Sequence, residues 1–395
     1  MTLNEIIALA DANLMPTYAR FPVAFIRGEG ARLFDAEDRE YLDFSSGIGV
    51  NSIGYADEKW IAAVASQAGR LAHISNLFYT EPCTLLAARL NSLSGMSGAF
   101  FGNSGAEANE GMIKLARKYS FDKYGGGRST IVTLENSFHG RTVATLEATG
   151  QERFHNFFMP FTGGFKYAEA GNIEDMEAKL GPDVCAVMIE LIQGEGGVMP
   201  LEHDYVGKLT ALCRERDILL LVDEVQTGVG RTGTFFAFQQ YDILPDAVSF
   251  AKGIAGGLPL GGLLVNEKCA AVLGPGTHAS TFGGNPICCS AALAVLDILD
   301  GDALLKVREK GAKLRAMIEE ISSPIIAGVR GLGLMLGIQV RGIAHSELVK
   351  KLLDAGLVCL TAGSDVVRLM PPLTITDREI ERGVIILADV LEELK

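Results

Sequence analysis

The chain reads as an α/β protein in which a mostly parallel sheet lies between helices and a smaller α+β region follows. Three observations predict this. From about Ala99 short apolar runs alternate with longer helical periods, the pattern of strands joined by crossover helices. Past Gly301 the texture changes to amphipathic helices around a strand run. Of 395 residues 48% are hydrophobic and 21% charged, too apolar for disorder and too sparsely charged for a coiled coil.

In chain order, residues 1–50 hold a helix over 3–14 and extended runs over 21–27 and 32–43, and are expected to pack with the small domain. Residues 51–301 form the large domain. Its strands are expected over 99–101, 130–134, 184–189, 218–222, 247–250 and 262–265, each a short apolar run. Helical periods cover 106–119 and 205–216, and the first opens with Ser104 followed three residues on by Glu107, a capping-box spacing. Residues 302–395 form the small C-terminal domain, with helices over 303–321, 346–355 and 376–394 and a strand over 333–340. The 46 glycines exceed the usual ~7% without a collagen-like period, so they serve tight turns and close backbone approaches.

Lys and Arg number 35 against 48 Asp and Glu, a net charge of −13, and the cations are scattered singly or in pairs. Such a surface repels phosphate backbones and anionic membranes, so neither nucleic acid nor membrane is an expected partner. No apolar run reaches the length of a membrane span. Seven cysteines, odd in number and without CxxC spacing, read as reduced thiols in a cytoplasm. Glu5 and Asp11 precede the first cation, Arg20, the reverse of a secretory leader. His73, His155, His203, His278 and His345 lack metal-ligand spacing, and no metal is expected.

Three segments could carry chemistry. In FFGNSGAEANE, Phe100 to Glu110, a Gly/Ser turn joins a strand to a helix N-terminus, either an ordinary cap or a phosphate cradle made by Ser104, Gly105 and Ala106. In ILLLVDEVQTG, Asp223 and Glu224 end an apolar strand. Carboxylates there form a strand-end salt bridge or face the ligand crevice, where a buried acid needs a cationic partner. In DAVSFAKGIAGG, Lys252 ends another apolar strand and either reaches solvent or is a desolvated amine suited to attack an aldehyde. A phosphate, a cationic ring nitrogen and an aldehyde together describe pyridoxal 5′-phosphate.

These segments, with ENSFHGRT, IQGEGG, DEVQTGVGRTG, STFGGNP and VVRLMPPL, closely resemble the class III (ω-amino acid) aminotransferases, almost end to end. The resemblance implies fold-type I, the aspartate aminotransferase-like arrangement with a mostly parallel seven-stranded sheet. It implies that Lys252 joins the cofactor aldehyde covalently, Asp223 holds the pyridine nitrogen protonated, Phe138 stacks on the ring and Gln226 lies near its 3-hydroxyl. Thr281 resembles a phosphate ligand supplied by a neighbouring subunit, so a homodimer with shared active sites is expected. Ser280 stands beside it as a substrate-site residue, and His139 borders the cofactor motif without a clear catalytic role.

For substrates, Arg141 and Arg368 are candidate carboxylate forks. The family's pattern implies that Glu195 pairs with Arg368 during the amine-donor half-reaction and releases it to grip 2-oxoglutarate. Tyr18 resembles a tyrosine near the donor's distal end. Gly47 and Ile48 stand where ornithine-specific members carry an extra tyrosine, which favours an acylated donor. The opening PTYARFPVAFIRGEG and the compact length resemble the branch that moves the δ-amino group of N2-acetylornithine to 2-oxoglutarate in arginine biosynthesis. Succinylornithine, N-succinyldiaminopimelate, ornithine and 4-aminobutyrate remain as alternative donors, because the pockets differ by few side chains. A non-catalytic binding protein on the same fold is the alternative of another class.

Overall fold

The computed structural model describes residues 1–394. Seven strands form its central sheet: Gly98–Gly102, Thr130–Leu134, Phe165–Ala168, Val184–Ile189, Leu219–Asp223, Ala247–Phe250 and Gly261–Val265. In space the order runs first, seventh, sixth, fifth, fourth, second, third. All neighbouring pairs are parallel except those made by Gly261–Val265, which runs antiparallel to the strands on both its sides. The expected strand positions hold to within a residue or so at either end. Phe165–Ala168 was not expected, because this edge strand is only half-buried and its FKYA sequence lacks an apolar run.

The central strands are mostly apolar because both faces are covered, and the exceptions Thr133, Asp223 and Ser249 are themselves buried. Leu219 and Leu221 pack with Met112, Ile113 and Leu115 of the helix Gly105–Tyr124 on one face. Leu220 and Val222 enter the larger core on the other face.

The C-terminal region adds a four-stranded antiparallel sheet, ordered Ile326–Leu332, Met335–Val340, Val366–Leu369, Leu360–Ala362. The strand expected over 333–340 therefore starts at Met335. Gly333, at φ +54°, turns the chain back from Ile326–Leu332 to make a hairpin instead. Helices Gly301–Glu319, His345–Asp354 and Asp377–Glu392 flank this sheet. Near the N-terminus the expected extended run over 32–43 is broken into Arg32–Asp35 and Glu40–Asp43 by Asp38 at φ +63°. A parallel pairing of Glu40–Asp43 with Leu357–Val358 ties this N-terminal sheet to the C-terminal region.

Candidate active site

Two adjacent parallel strands present their carboxyl ends together, since Asp223, the last residue of one, is in register with Ser249 of the next. In open α/β sheets that edge is where ligands bind. A cavity of about 450 Å³ opens there, lined among others by Ser104, Gly105, Ala106, Asn109, Phe138, His139, Arg141, Glu190, Asp223, Gln226 and Lys252.

The buried Asp223 is held from four directions. Its Oδ2 accepts from Asn109 Nδ2 at 2.7 Å and lies 2.8 Å from His139 Nδ1, while Oδ1 accepts from Val225 N at 3.0 Å and Ser249 Oγ at 3.3 Å. Neither Asn109 nor His139 was expected to reach this acid. Asn109 sits one helical turn beyond Gly105, so its i+4 spacing from the cradle was a usable signal. His139 had none, because only folding brings the 138–141 loop against the end of the Leu219–Asp223 strand.

Glu224 does not face the crevice, and this corrects the paired reading of the two acids. Its carboxylate turns into the core, accepting from Thr227 Oγ1 at 2.6 Å and from the Ala237 and Phe238 N–H groups at 3.0 and 2.8 Å. Burial pushes it up to about 7, against those donors.

Lys252 starts a short 3₁₀ turn directly after the Ala247–Phe250 strand, with φ +47°. A non-glycine residue in that region is strained, and such strain collects at functional sites. The residue is partly buried and lines the cavity. Desolvation pushes its amine below the ordinary lysine range, with Glu195 opposing and Arg368 reinforcing the effect. Across the cavity, Glu190 accepts the Phe138 N–H at 2.9 Å, and burial pushes its carboxyl up to about 7 although His139 pulls the other way. Glu190 is a further site residue that the sequence left unmarked among the apolar positions of Val184–Ile189 and Leu191.

At the head of the 20-residue helix Gly105–Tyr124, Ser104 Oγ accepts the Glu107 N–H at 3.2 Å and Glu107 Oε2 accepts the Asn103 N–H at 2.9 Å. That capping leaves the Gly105 and Ala106 N–H groups free at the positive end of the helix dipole. A β-carbon on Gly105 would stand 2.7 Å from Val225 Cγ1, so glycine keeps the turn tight. Free N–H groups for a phosphate, a fixed carboxylate for a ring nitrogen and a desolvated amine for an aldehyde line one cavity, and they fit pyridoxal 5′-phosphate.

Behind Gln226, the buried Arg368 of the Val366–Leu369 strand donates from Nη1 to Glu195 Oε1 at 2.5 Å and to Gln226 Oε1 at 3.0 Å. Burial opposes ionisation of Glu195, but Arg368 outweighs it and holds the carboxyl below the ordinary range. The second glycine-rich motif makes room for this cluster, since a β-carbon on Gly194 would lie 2.2 Å from Gln226 Oε1. Glu195 borders a second cavity, of about 1200 Å³, and not the first. Besides Glu195 and Arg368, three further expected site residues stay outside the lining of the first cavity within one chain. Tyr18 is 74% exposed, Thr281 is exposed, and Ser280 Oγ instead accepts from Asn103 Nδ2 at 3.3 Å and from Gly283 N at 3.0 Å. Gly47 and Ile48 form a left-handed turn, φ +60° and +66°, also apart from that lining.

The sequence model of the family described as aminotransferase class-III matches residues 15–391. The acetylornithine aminotransferase of Haemophilus ducreyi is 50% identical over the whole of both chains, and that of Caldanaerobacter subterraneus is 45% identical over 97% of this chain and 98% of its own. Among solved structures, the ornithine aminotransferase from Toxoplasma gondii aligns with a TM-score of 0.95 at 31% identity, over 100% of this chain and 96% of that one. The acetylornithine aminotransferase from Elizabethkingia anophelis aligns with a TM-score of 0.89 at 30% identity over all of both chains.

Proposed function

This chain belongs to the class III aminotransferases, and on that premise we propose that it transfers the δ-amino group of N2-acetylornithine to 2-oxoglutarate, yielding N-acetylglutamate 5-semialdehyde and glutamate, a step of arginine biosynthesis. The observation that carries the reading is that Lys252 and Asp223 line one cavity with the free N-terminus of the Gly105–Tyr124 helix. Full-length identity of 50% favours the acetylated donor over ornithine, although an ornithine enzyme has a closely similar backbone.

Bound pyridoxal phosphate supplies an electron sink for charge developing beside the reacting carbon. The protein's own residues do the rest. Gly105 and Ala106 would hold the phosphate through their N–H groups, Phe138 would cover the ring and Gln226 would serve the 3-hydroxyl. Asp223, oriented by Asn109 and His139, holds the proton on the ring nitrogen. The Lys252 amine, when free, would take the proton from the donor's δ-carbon as general base and deliver it again as general acid. Arg141 grips the substrate carboxylate remote from that carbon. Glu195 neutralises Arg368 while the amine donor is bound and releases it to the keto acid.

We also read the protein as a homodimer. Leu77 (87% exposed) and the fully exposed Tyr79 lie close in sequence to Asn76, whose Nδ2 donates to the backbone oxygens of Ser280 and Gly283. Consecutive exposed apolar side chains of this kind are what a partner's surface covers. Pairing two copies there would bring Thr281 to the neighbour's phosphate and supply the donor contact assigned to Tyr18. The seven cysteines, all free, suit a reducing cytoplasm. We divide the chain into residues 1–50, 51–301 and 302–395, a reading supported by the pairing of Glu40–Asp43 with Leu357–Val358, which joins the first segment to the last. Rates with acetylornithine, succinylornithine, N-succinyldiaminopimelate, ornithine and 4-aminobutyrate test the assignment. A kcat/KM for acetylornithine at least about tenfold above the rest supports it, and a preference for any other donor overturns it.

A further inference from the structure

Arg141 lines the 450 Å³ cavity, yet no hydrogen-bond or ion-pair partner holds its guanidinium among the described residues. Its support is aromatic. The Cζ atom stands 4.1 Å from the centre of the Phe154 ring and 5.6 Å from that of Phe138, and the two rings meet edge to face with centroids 6.0 Å apart. Phe154 ends the 3₁₀ turn Glu152–Phe154, one short helix further along the chain than the motif that carries Phe138 and Arg141. A second guanidinium, that of Arg153, lies 4.7 Å from the Phe154 ring, but its Nη2 is already engaged by Gln151 Oε1 at 2.8 Å. The ring thus carries one committed cation and one free one.

The distinction matters for recognition. A carboxylate partner for Arg141 would consume its donors and cancel its charge, and a substrate would then have to displace it. Stacking uses the guanidinium face and leaves the N–H fork free in its own plane, where carboxylates pair bidentately. It also restricts a side chain that otherwise loses much rotamer freedom on binding.

We propose that Phe154 is a positioning residue: its ring holds Arg141 at the cavity with charge and donors unspent, and so sets the affinity for carboxylate-bearing substrates in both half-reactions. The inference rests on the reading of Arg141 as a carboxylate fork.

The test compares holoenzyme carrying Phe154→Leu, Phe154→Tyr, Arg141→Leu and the double variant Phe154→Leu/Arg141→Leu. Phe154→Leu is expected to raise KM for the amine donor and for 2-oxoglutarate about three- to tenfold with kcat held within about twofold. The dissociation constant of glutarate, measured by calorimetry, should rise by the same factor. Phe154→Tyr, which keeps the ring, restores the parent values, and Phe154→Leu adds nothing once Arg141 is gone. Unchanged KM and glutarate binding in Phe154→Leu, with Arg141→Leu impaired, overturns the proposal and spares the role of Arg141. An unimpaired Arg141→Leu overturns the reading beneath it. Additive losses in the double variant, or a fall in kcat that Phe154→Tyr does not restore, mark Phe154 as ordinary packing and also overturn it.

Discussion

Arg368 and Glu195 meet from segments 173 residues apart, and the Nη1 atom that donates to Glu195 at 2.5 Å also donates to Gln226 at 3.0 Å. The arginine is buried, with 3% of its side chain exposed, whereas Glu195 keeps 29%. A pair with one fixed and one accessible member can open by moving the carboxylate alone. Glu195→Ala should therefore slow the amine-donor half-reaction about 10- to 100-fold and leave the 2-oxoglutarate half-reaction within about threefold, because the guanidinium the keto acid needs is still in place. Single-turnover measurement of each half separately checks this, and equal effects on both would remove the switch.

Lys252 faces Glu195, Arg368, Asp223 and Glu190, and the strain at its backbone suits a side chain aimed by the fold rather than by its own preference. Lys252→Ala should lower turnover at least about 10³-fold. It should also abolish the borohydride-fixable attachment of pyridoxal phosphate, seen as a mass increment on the intact chain. Retention of that increment would place the attachment elsewhere.

Glu224 has a folded-state pKa of about 7 against an ordinary 4.5, owing to burial. Between those values the folded chain binds more protons than the unfolded one. The stabilisation from this group is therefore full below about 4.5 and lost as pH rises through about 7, a change of about 3 kcal/mol. Glu224→Gln removes the titration, so the parent's advantage over the variant should be larger at pH 5 than at pH 8 in urea denaturation. The variant should also be less stable than the parent at pH 5 by about 1–3 kcal/mol, since the amide nitrogen cannot accept from the donors that one carboxyl oxygen serves. A pH-independent difference would mean that Glu224 stays ionised throughout.

Leu77 and Tyr79 project from the surface next to the segment that carries Ser280 and Thr281. The double substitution Leu77→Asp/Tyr79→Asp should convert a dimer to a monomer in light scattering and reduce activity at least about tenfold through loss of the partner's contribution. A parent protein that is monomeric and fully active would refute the shared site.

Much of the scaffold was legible before folding was considered. Strands buried on both faces read as near-continuous apolar runs, so Val184–Ile189, Leu219–Asp223 and Ala247–Phe250 announce themselves despite Asp223 and Ser249. The half-exposed edge strand Phe165–Ala168 does not, and neither does the reversed direction of Gly261–Val265, which no side-chain pattern encodes.

The site divides along the same line. Sequence alone determined the cofactor chemistry, because a strand-end acid, a strand-end lysine and a glycine-rich helix start are local features whose cost or reactivity is intrinsic to those residues. Only the tertiary structure decided which neighbours serve them. Asn109 and His139 orient Asp223, Glu190 bears on Phe138, Phe154 lies against Arg141, and Glu224 turns away into the core. Such contacts join residues from 13 to 114 positions apart. Their strength comes from exclusion of water and from distances of a few ångströms, which exist only once the sheet has brought its strand ends together.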